Sequence, residues 1–247
     1  MLDVAIDAAK KGGKLALKYF KKGVKVKYKA DESPVSVADV ETEKLIRKII
    51  SKKFPAHGII GEELKPKNLK AQYQWIIDPI DGTRDFIKQV PFWAVFIAVL
   101  KKGKPIVGVI YFPVLGDLIW AQSGKGAYMN GKKIKLSKTK NLKDAYIGTG
   151  TTKRFIQLKK INELLAISKA AMATRSSGNF NLKLFLEGKI DAMVESYGAI
   201  HDFAAPSIIV EEAGGKFSDF SGKFSLTSEN AVMTNGLLHN QILKLLD

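Results

Sequence analysis

The feature that most constrains this chain is a proline set between two aspartates at the end of an apolar run. The run Trp75-Ile76-Ile77 leads into Asp78-Pro79-Ile80-Asp81-Gly82-Thr83. Proline fixes φ and lacks a backbone N–H, so we expect a sharp turn at a strand end here rather than a helix or a central strand. Both carboxylates can then point to one side, beside the N–H groups of Gly82 and Thr83. Carboxylates on a rigid turn next to exposed amides suit hard cations that hold a phosphate.

Further acidic residues lie elsewhere in the chain, in Gly61-Glu62-Glu63, in His201-Asp202-Phe203-Ala204-Ala205 and at Asp39. Each has a simpler explanation when taken alone. The glutamates fit a solvated loop, Asp202 fits the N-cap of a helix that ends before Gly214-Gly215, and Asp39 fits a charged helix start. The three histidines, His57, His201 and His239, have no zinc-motif spacing. The aspartate pair around Pro79 is therefore the strongest local signal.

Length and composition predict one folded unit. The 247 residues are 46% hydrophobic and contain no cysteine, which excludes disulfides and thiolate–zinc sites. We expect a single domain over 1–247, with two closely packed halves at roughly 1–140 and 141–247. No apolar run approaches the ~20 residues of a membrane span, and Asp3 and Asp7 interrupt any secretory signal. We therefore expect a cytoplasmic protein without a membrane partner.

The formal net charge of +16 raises the question of nucleic-acid binding. The lysines are spread along the whole chain in pairs, and only four arginines occur. Base readers and stacking grooves favour arginine and interleaved aromatic residues, and neither pattern is present. We interpret the charge as a solvated lysine-rich surface that can steer anionic substrates, and we do not expect a nucleic-acid partner.

Hydrophobic periodicity predicts alternating helices and strands. Helices are expected over 2–20 and 36–53, and in the second half near 155–167, 181–187, 202–213 and 237–246. Strands are expected near 58–61, 73–78, 92–101, 106–112 and 118–122, and later near 145–148, 171–174, 192–195 and 231–234. Such a mixture indicates a layered α/β fold.

Taken together, these motifs resemble those of the inositol monophosphatase family of metal-dependent phosphatases, in order and over nearly the whole chain. The segment Lys29-Ala30-Asp31-Glu32-Ser33-Pro34-Val35-Ser36-Val37-Ala38-Asp39 is similar to the family's first motif. The glutamate pair, the 78–83 turn and the Asp202 segment with Glu211-Glu212-Ala213-Gly214-Gly215 complete the resemblance. His201 stands where the family usually has tryptophan, so we expect the pocket wall to differ in shape there.

The resemblance implies the layered α-β-α-β-α fold of the sugar phosphatases and a site that holds two or three Mg²⁺ ions. It assigns one ion to Glu62, Asp78 and the Ile80 carbonyl, and a second ion to Asp78, Asp81 and Asp202. A third, weaker ion would use Glu62 with water. The resemblance also implies that Gly82 and Thr83 bind phosphate and that Asp39 and Thr83 orient the nucleophilic water, without a covalent phosphoenzyme.

The resemblance implies that the substrate is a small phosphorylated alcohol, and the motifs leave several choices open. The segments around His57, Arg84 and Thr234 look most like the histidinol-phosphatase branch, so histidinol phosphate is the first candidate. Inositol 1-phosphate is next, followed by a nucleotide 3′-phosphate of the adenosine bisphosphate type or fructose 1,6-bisphosphate. A nucleic-acid-binding protein on an inactive phosphatase fold is the alternative from another class. A homodimer is an open expectation. The residues expected to contact the substrate are Asp81, Arg175, Gly178, Asn179, Phe180, Glu195 and Asp202.

Overall fold

A computed structural model describes residues 1–24, 26–28 and 34–246, the backbone alone for 26–28 and Pro34. Residues 29–33 of the first motif lie outside the described residues. The helices are α1 (Leu2–Lys22), α2 (Val37–Lys53), α3 (Thr83–Ile87), α4 (Thr152–Gln157), α5 (Ile161–Ala170), α6 (Gly178–Leu186), α7 (Ile200–Glu212) and α8 (His239–Leu243). The strands of the first half are β1 (Val26–Tyr28), β2 (Pro34–Ser36), β3 (Gly58–Gly61), β4 (Tyr73–Asp81), β5 (Ala94–Lys101), β6 (Lys104–Phe112), β7 (Asp117–Gln122), β8 (Gly126–Met129) and β9 (Lys132–Lys133). Those of the second half are β10 (Tyr146–Thr149), β11 (Ala173–Arg175), β12 (Ala192–Glu195), β13 (Lys216–Ser218) and β14 (Ala231–Thr234).

The strands form two larger sheets and one small ribbon. Seven strands pair in the order β3-β4-β5-β6-β7-β8-β9, and five pair in the order β11-β10-β12-β14-β13, while β1 pairs with β2. Strand β3 runs parallel to β4, with Gly61 opposite Ile77. Both of these strands therefore end at the same edge of the seven-stranded sheet, and the acidic segments follow those ends.

Helices and sheets alternate in five layers, because each central strand is apolar on both faces. Trp75 and Ile77 of β4 face the α1 and α2 layer, whereas Ile76, between them, faces the opposite side. Helices α6 and α7 lie between the two sheets, in one core with residues of both. Residues of α4, α5 and α8 pack against β10, β12 and β14 in a separate core on the outer face of the second sheet. This is the expected layered α-β-α-β-α fold.

The structure corrects the expectation that Pro79 ends a strand. Strand β4 continues through Pro79 to Asp81, and its register against β5 shifts between Asp78 and Asp81. At such a bulge the missing N–H of proline is tolerated, because the ladder is already interrupted there. The two aspartates therefore lie on a distorted strand end rather than on a turn beyond it.

A second correction concerns the helix expected near 155–167. This segment forms two helices, α4 and α5, with Lys159 at a φ of 58° between them. Phe155 of α4 and Leu164 and Ile167 of α5 pack into the same core, so the apolar residues keep a helix-like spacing across the break. Periodicity alone therefore did not reveal the break. Among the helices of the described ranges, none is both long enough and apolar enough to cross a membrane.

Candidate active site

Three segments of the chain bring carboxylates to the edge where β3 and β4 end. The Glu62 N–H donates to the Ile77 carbonyl at 3.2 Å, which keeps the residue after β3 beside β4. From the other side, the first turn of α7 carries Asp202. One carboxylate oxygen from each of Asp78, Asp81 and Asp202 lies within 4.8 Å of the others. The spacing of these oxygens is suited to a shared divalent cation, and an all-oxygen set is typical of magnesium sites.

The bulged end of β4 is held by local contacts. The Ile80 N–H donates to Asp78 Oδ1 at 3.0 Å, and the buried Ile80 side chain packs with Phe86 and Trp93. Gly82 precedes α3 with a φ of 88°, a conformation that glycine adopts without strain. Thr83 then begins α3, and its hydroxyl donates to the Ile80 carbonyl at 3.3 Å. The N–H groups of the first turn of α3 therefore begin beside the carboxylates.

The clustered carboxylates disfavour one another's charge. Burial, followed by the charges of Glu62, Asp81 and Asp202, raises the pKa of Asp78 well above its usual value. Burial and the neighbouring Asp202 raise the pKa of Asp81 in the same way, although a hydrogen bond from Asn179 acts in the opposite direction. Positive charge nearby would favour the ionised form of both aspartates. A bound cation would provide that charge.

Asp202 occupies a different helix position from the one expected. Helix α7 begins at Ile200 with Ala199 as N-cap, so Asp202 is the third residue of the helix and not its cap. Its Oδ2 accepts from the Ala199 N–H at 2.5 Å, which fixes the carboxylate against the helix start. Pro206 lies within the helix and cannot donate to the Asp202 carbonyl four residues earlier. The aspartate thus both stabilises the first turn and faces the carboxylate cluster.

A buried glutamate that the sequence analysis did not single out holds the Glu62 segment in place. Glu43 of α2 is fully buried and accepts from Arg47 Nε at 2.6 Å and from the Glu63 N–H at 2.8 Å. Arg47 also donates to the carbonyls of Leu64 and Lys65. Any side chain at Gly61 would overlap the Glu43 carboxylate. The spacing of Glu43 and Arg47 suggests an ordinary helix ion pair, and only the tertiary contact with 61–65 reveals this role.

We expect Glu43→Ala to lower the free energy of unfolding by about 3–5 kcal/mol, because it leaves the largely buried Arg47 without its carboxylate partner. Urea unfolding in the presence of a chelator measures this change. Glu41→Gln is the matched control, since Glu41 lies on the same helix with a side chain 41% exposed. A loss no greater than that of the control would contradict the positioning role.

Asp39 lies in the first turn of α2 in a reciprocal cap with Ser36. Its Oδ2 accepts from the Ser36 N–H at 2.8 Å and from the Ser36 hydroxyl at 2.7 Å. The other oxygen, Oδ1, is buried and has no hydrogen-bond partner among the described residues. Burial raises the pKa of Asp39, and the charge of Glu62 adds to the effect, so the two carboxylates are neighbours. Asp39 therefore caps α2, and the charge of Glu62 disfavours its ionised form.

The residues expected at the substrate wall form two groups. The first group comes from α6 and β11. Asn179 Nδ2 donates to the Asp81 carbonyl at 3.0 Å, which joins α6 to the metal-facing strand. Phe180 stacks on Phe92 with ring centroids 4.3 Å apart, and the Arg175 guanidinium lies 5.1 Å from the Phe180 ring. Gly178 begins α6, and a side chain there would lie near Asp85.

Glu195, at the end of β12, forms the second group and is half-buried. Burial and the charge of Asp202 raise the pKa of Glu195 to about 8. Glu195 also contributes to the raised pKa of Asp81, so it belongs to the same electrostatic cluster. Gly150 makes room for it, because a Cβ there would lie 2.8 Å from Glu195 Oε2. Glu195 therefore lies beside Asp81 and Asp202, and their charges disfavour its ionised form.

The sequence analysis expected His201 only to change the shape of the pocket wall, but its ring lies beside the carboxylates. One ring nitrogen of His201, one carboxylate oxygen of Glu62 and one of Asp78 all lie within 4.8 Å of one another. Its Nε2 is 3.8 Å from Asp202 Oδ2. The adjacency of His201 and Asp202 in the sequence was a usable signal, but zinc-motif spacing does not detect ligands contributed by different segments.

Five alternating layers and a carboxylate cluster beside a helix start together define a metal-dependent phosphatase. The model of the Inositol monophosphatase family matches residues 1–247, and the chain belongs to this family. Its members are metal-dependent phosphoric monoester hydrolases that act on small phosphorylated substrates.

Individual relatives agree with this assignment. The chain is 37% identical to a histidinol-phosphatase of Chlorobaculum parvum, over 98% of this chain and 95% of the relative. It is 33% identical to a fructose-1,6-bisphosphatase/inositol-1-monophosphatase of Aquifex aeolicus, over 98% and 94% of the two chains. The crystal structure of the extragenic suppressor protein suhB of Bartonella henselae has a TM-score of 0.93 and 30% identity, and the match covers 99% of this chain and 97% of that one.

Proposed function

We propose that this chain is a Mg²⁺-dependent phosphomonoesterase whose substrate is histidinol phosphate. The observation that carries the proposal is the convergence of Asp78, Asp81 and Asp202 within 4.8 Å, next to the start of α3. Carboxylates packed this closely are unfavourable without a counter-charge. A cluster of this kind at the end of a buried strand is typical of a functional site, and here it fits a reaction in which cations bind an anionic substrate.

We assign the cation-binding roles as follows. Glu62, Asp78 and the Ile80 carbonyl would hold one ion, and Asp78, Asp81 and Asp202 would hold a second. A third, weaker ion would use Glu62 with water. When bound, the ions supply electrostatic stabilisation of the attacking and leaving oxygens of an in-line displacement. Asp78 belongs to both sets, so its carboxylate sets the relative position of the two sites.

The remaining residues bind phosphate and orient water in this proposal. The N–H groups of Gly82 and Thr83 donate to the phosphate oxygens at the start of α3. Asp39 Oδ1 and the Thr83 hydroxyl orient the nucleophilic water. Asp39 suits this role, because Oδ1 has no protein partner in the described chain and burial raises its pKa. Water is the attacking group, so no phosphoryl group is transferred to a side chain.

The alcohol part of the substrate would contact Arg175, Gly178, Asn179, Phe180 and Glu195. Histidinol carries a cationic amine and an imidazole, whereas inositol carries only hydroxyl groups. Burial and the charge of Asp202 raise the pKa of Glu195 to about 8, and an incoming cation would oppose this by favouring the ionised form and pairing with it. The histidinol-phosphatase of Chlorobaculum parvum is consistent with this choice. The relative from Aquifex aeolicus keeps inositol 1-phosphate and fructose 1,6-bisphosphate as alternatives.

We expect Glu195→Gln to lower kcat/KM for histidinol phosphate about ten- to a hundredfold, because a charge-assisted hydrogen bond contributes ~1.5–3 kcal/mol. The loss on inositol 1-phosphate should be much smaller. Steady-state phosphate release on both substrates measures the difference, with the surface variant Glu41→Gln as control. Equal losses on both substrates, or a wild-type preference for inositol 1-phosphate, would reject the histidinol assignment.

A phosphate-release screen with and without Mg²⁺ tests the broader proposal. The substrates should include histidinol phosphate, inositol 1-phosphate, adenosine 3′,5′-bisphosphate and fructose 1,6-bisphosphate. Metal-dependent turnover of one small phosphomonoester is the expected result. Salt-dependent binding of duplex DNA without turnover of any of these compounds would instead favour a binding protein on an inactive phosphatase fold.

A further inference from the structure

His201 differs from the other two histidines in its surroundings. His57 stacks between Phe54 and Tyr73 and accepts a hydrogen bond from Trp75. His239 is buried between the hydroxyls of Ser218 and Thr234. Both rings therefore have structural roles. The His201 ring, by contrast, is directed at the carboxylates of Glu62, Asp78 and Asp202.

The distances around His201 fit a metal ligand after a small movement. The three ligand atoms of His201, Glu62 and Asp78 lie within 4.8 Å of one another. Ligand atoms about 2.1 Å from one first-row ion lie at most ~4.2 Å apart. Closing the group around an ion thus requires side-chain shifts of under ~1 Å. His201 and Asp202 are consecutive in the first turn of α7, whose start is fixed by the Ala199 hydrogen bond.

The two ligand sets differ in chemistry. Asp78, Asp81 and Asp202 offer oxygen alone, which suits Mg²⁺. Glu62, Asp78 and His201 offer two carboxylates and an imidazole, and imidazole is a ligand preferred by first-row transition ions. A tryptophan, usual in the family at this position, could not supply such a nitrogen, because the indole N–H only donates.

We propose that His201 is a ligand of the ion held by Glu62 and Asp78, and that this site selects Mn²⁺ or a similar transition ion over Mg²⁺. The inference rests on the proposed metal-dependent function and goes beyond it, since it concerns one of the two sites alone. The oxygen-only site keeps its suitability for Mg²⁺. The protein would then work with two different ions.

Pulsed electron paramagnetic resonance of the full-length protein, loaded with Mn²⁺ after chelation, tests the proposal without relying on turnover. Nitrogen coordination gives a ¹⁴N modulation, which we expect in the wild-type protein. The modulation should disappear in His201→Phe and in His201→Trp, the family's usual residue. His57→Phe is the matched control, because it removes a histidine while keeping an aromatic ring between Phe54 and Tyr73, and it should retain the modulation.

Calorimetric titration provides a second readout. We expect His201→Phe to weaken Mn²⁺ binding at one site at least about tenfold while changing Mg²⁺ affinity at the other site little, since loss of a supporting group alone can cost 10–100-fold. A wild-type protein without ¹⁴N modulation, a modulation that persists in both His201 variants, or equal losses of Mn²⁺ and Mg²⁺ affinity would overturn the proposal. Failure of the substrate screen with ¹⁴N modulation present would reject the proposed function and leave the ligand assignment standing.

Discussion

Asp78→Asn is expected to lower kcat by about a thousandfold or more while leaving the fold intact. Asp78 belongs to both proposed ligand sets, so the variant weakens both ions at once. Metal ions contribute several kcal/mol of transition-state stabilisation, and ~4 kcal/mol corresponds to about 10³ in rate. Steady-state rates over a range of Mg²⁺ concentrations measure the loss. Near-normal turnover would exclude the two-ion arrangement.

A stability measurement separates this effect from unfolding. Since burial and like charges raise the pKa of Asp78 in the folded state, its ionised form destabilises the metal-free protein. The contribution of Asp78 to the free energy of unfolding is fully present below the carboxyl pKa of the unfolded chain, ~4. It is lost as the pH rises through the raised pKa of the folded state. The Tm of Asp78→Asn in chelator at neutral pH should therefore equal or exceed the wild-type Tm. Asp202→Asn is a useful comparison, because it belongs to one set and should mainly raise the Mg²⁺ requirement.

Thr83→Ala is expected to lower kcat about 10²–10⁴-fold with little change in KM. The proposed role of its hydroxyl is to orient the attacking water together with Asp39, and losses of this kind fall on the chemical step. The hydroxyl lies 3.3 Å from the Ile80 carbonyl, so it is held at the strand end that carries both aspartates. Initial rates at saturating and limiting substrate give the two parameters.

Thr83→Ser is the control for this prediction, because it keeps the hydroxyl and the start of α3. Its kcat should remain within about tenfold of the wild-type value. If Thr83→Ala instead raised KM and left kcat unchanged, Thr83 would be a phosphate anchor alone. A large kcat loss in both variants would point to the position of α3 rather than to the hydroxyl.

Sequence reasoning located the layered α/β class and the acidic segments because these depend on local patterns. A continuous apolar run predicts a strand that is buried on both faces. Asp78, Pro79 and Asp81 lie within four positions of the chain, so their motif can be read locally. The same reasoning misplaced the strand end, because proline is compatible with a bulge as well as with a turn. It also treated Asp202 as an N-cap, although Ala199 takes that position. Such differences of a few residues depend on contacts made elsewhere in the fold.

Other features of the site had no local signal. Glu43 and Arg47 have the spacing of a common helix ion pair, and their hold on residues 61–65 arises only when α2 packs beside β4. His201 becomes a neighbour of Glu62 through the approach of α7 to β3 and β4. The contribution of Glu195 to the Asp81 environment likewise requires the ends of β4 and β12, which belong to different sheets, to lie near each other. Contacts between distant segments decide each of these cases.

The hydrogen bond between Asn179 and the Asp81 carbonyl crosses 98 positions of sequence. A polypeptide ending near residue 140 would contain Glu62, Asp78 and Thr83, yet it would lack both Asn179 and Asp202. Neither piece of a chain cut there would contain all the residues of the proposed active site. Gene fragments expressed separately should thus be inactive alone, and recovery of turnover on mixing would report how well the two pieces reassemble.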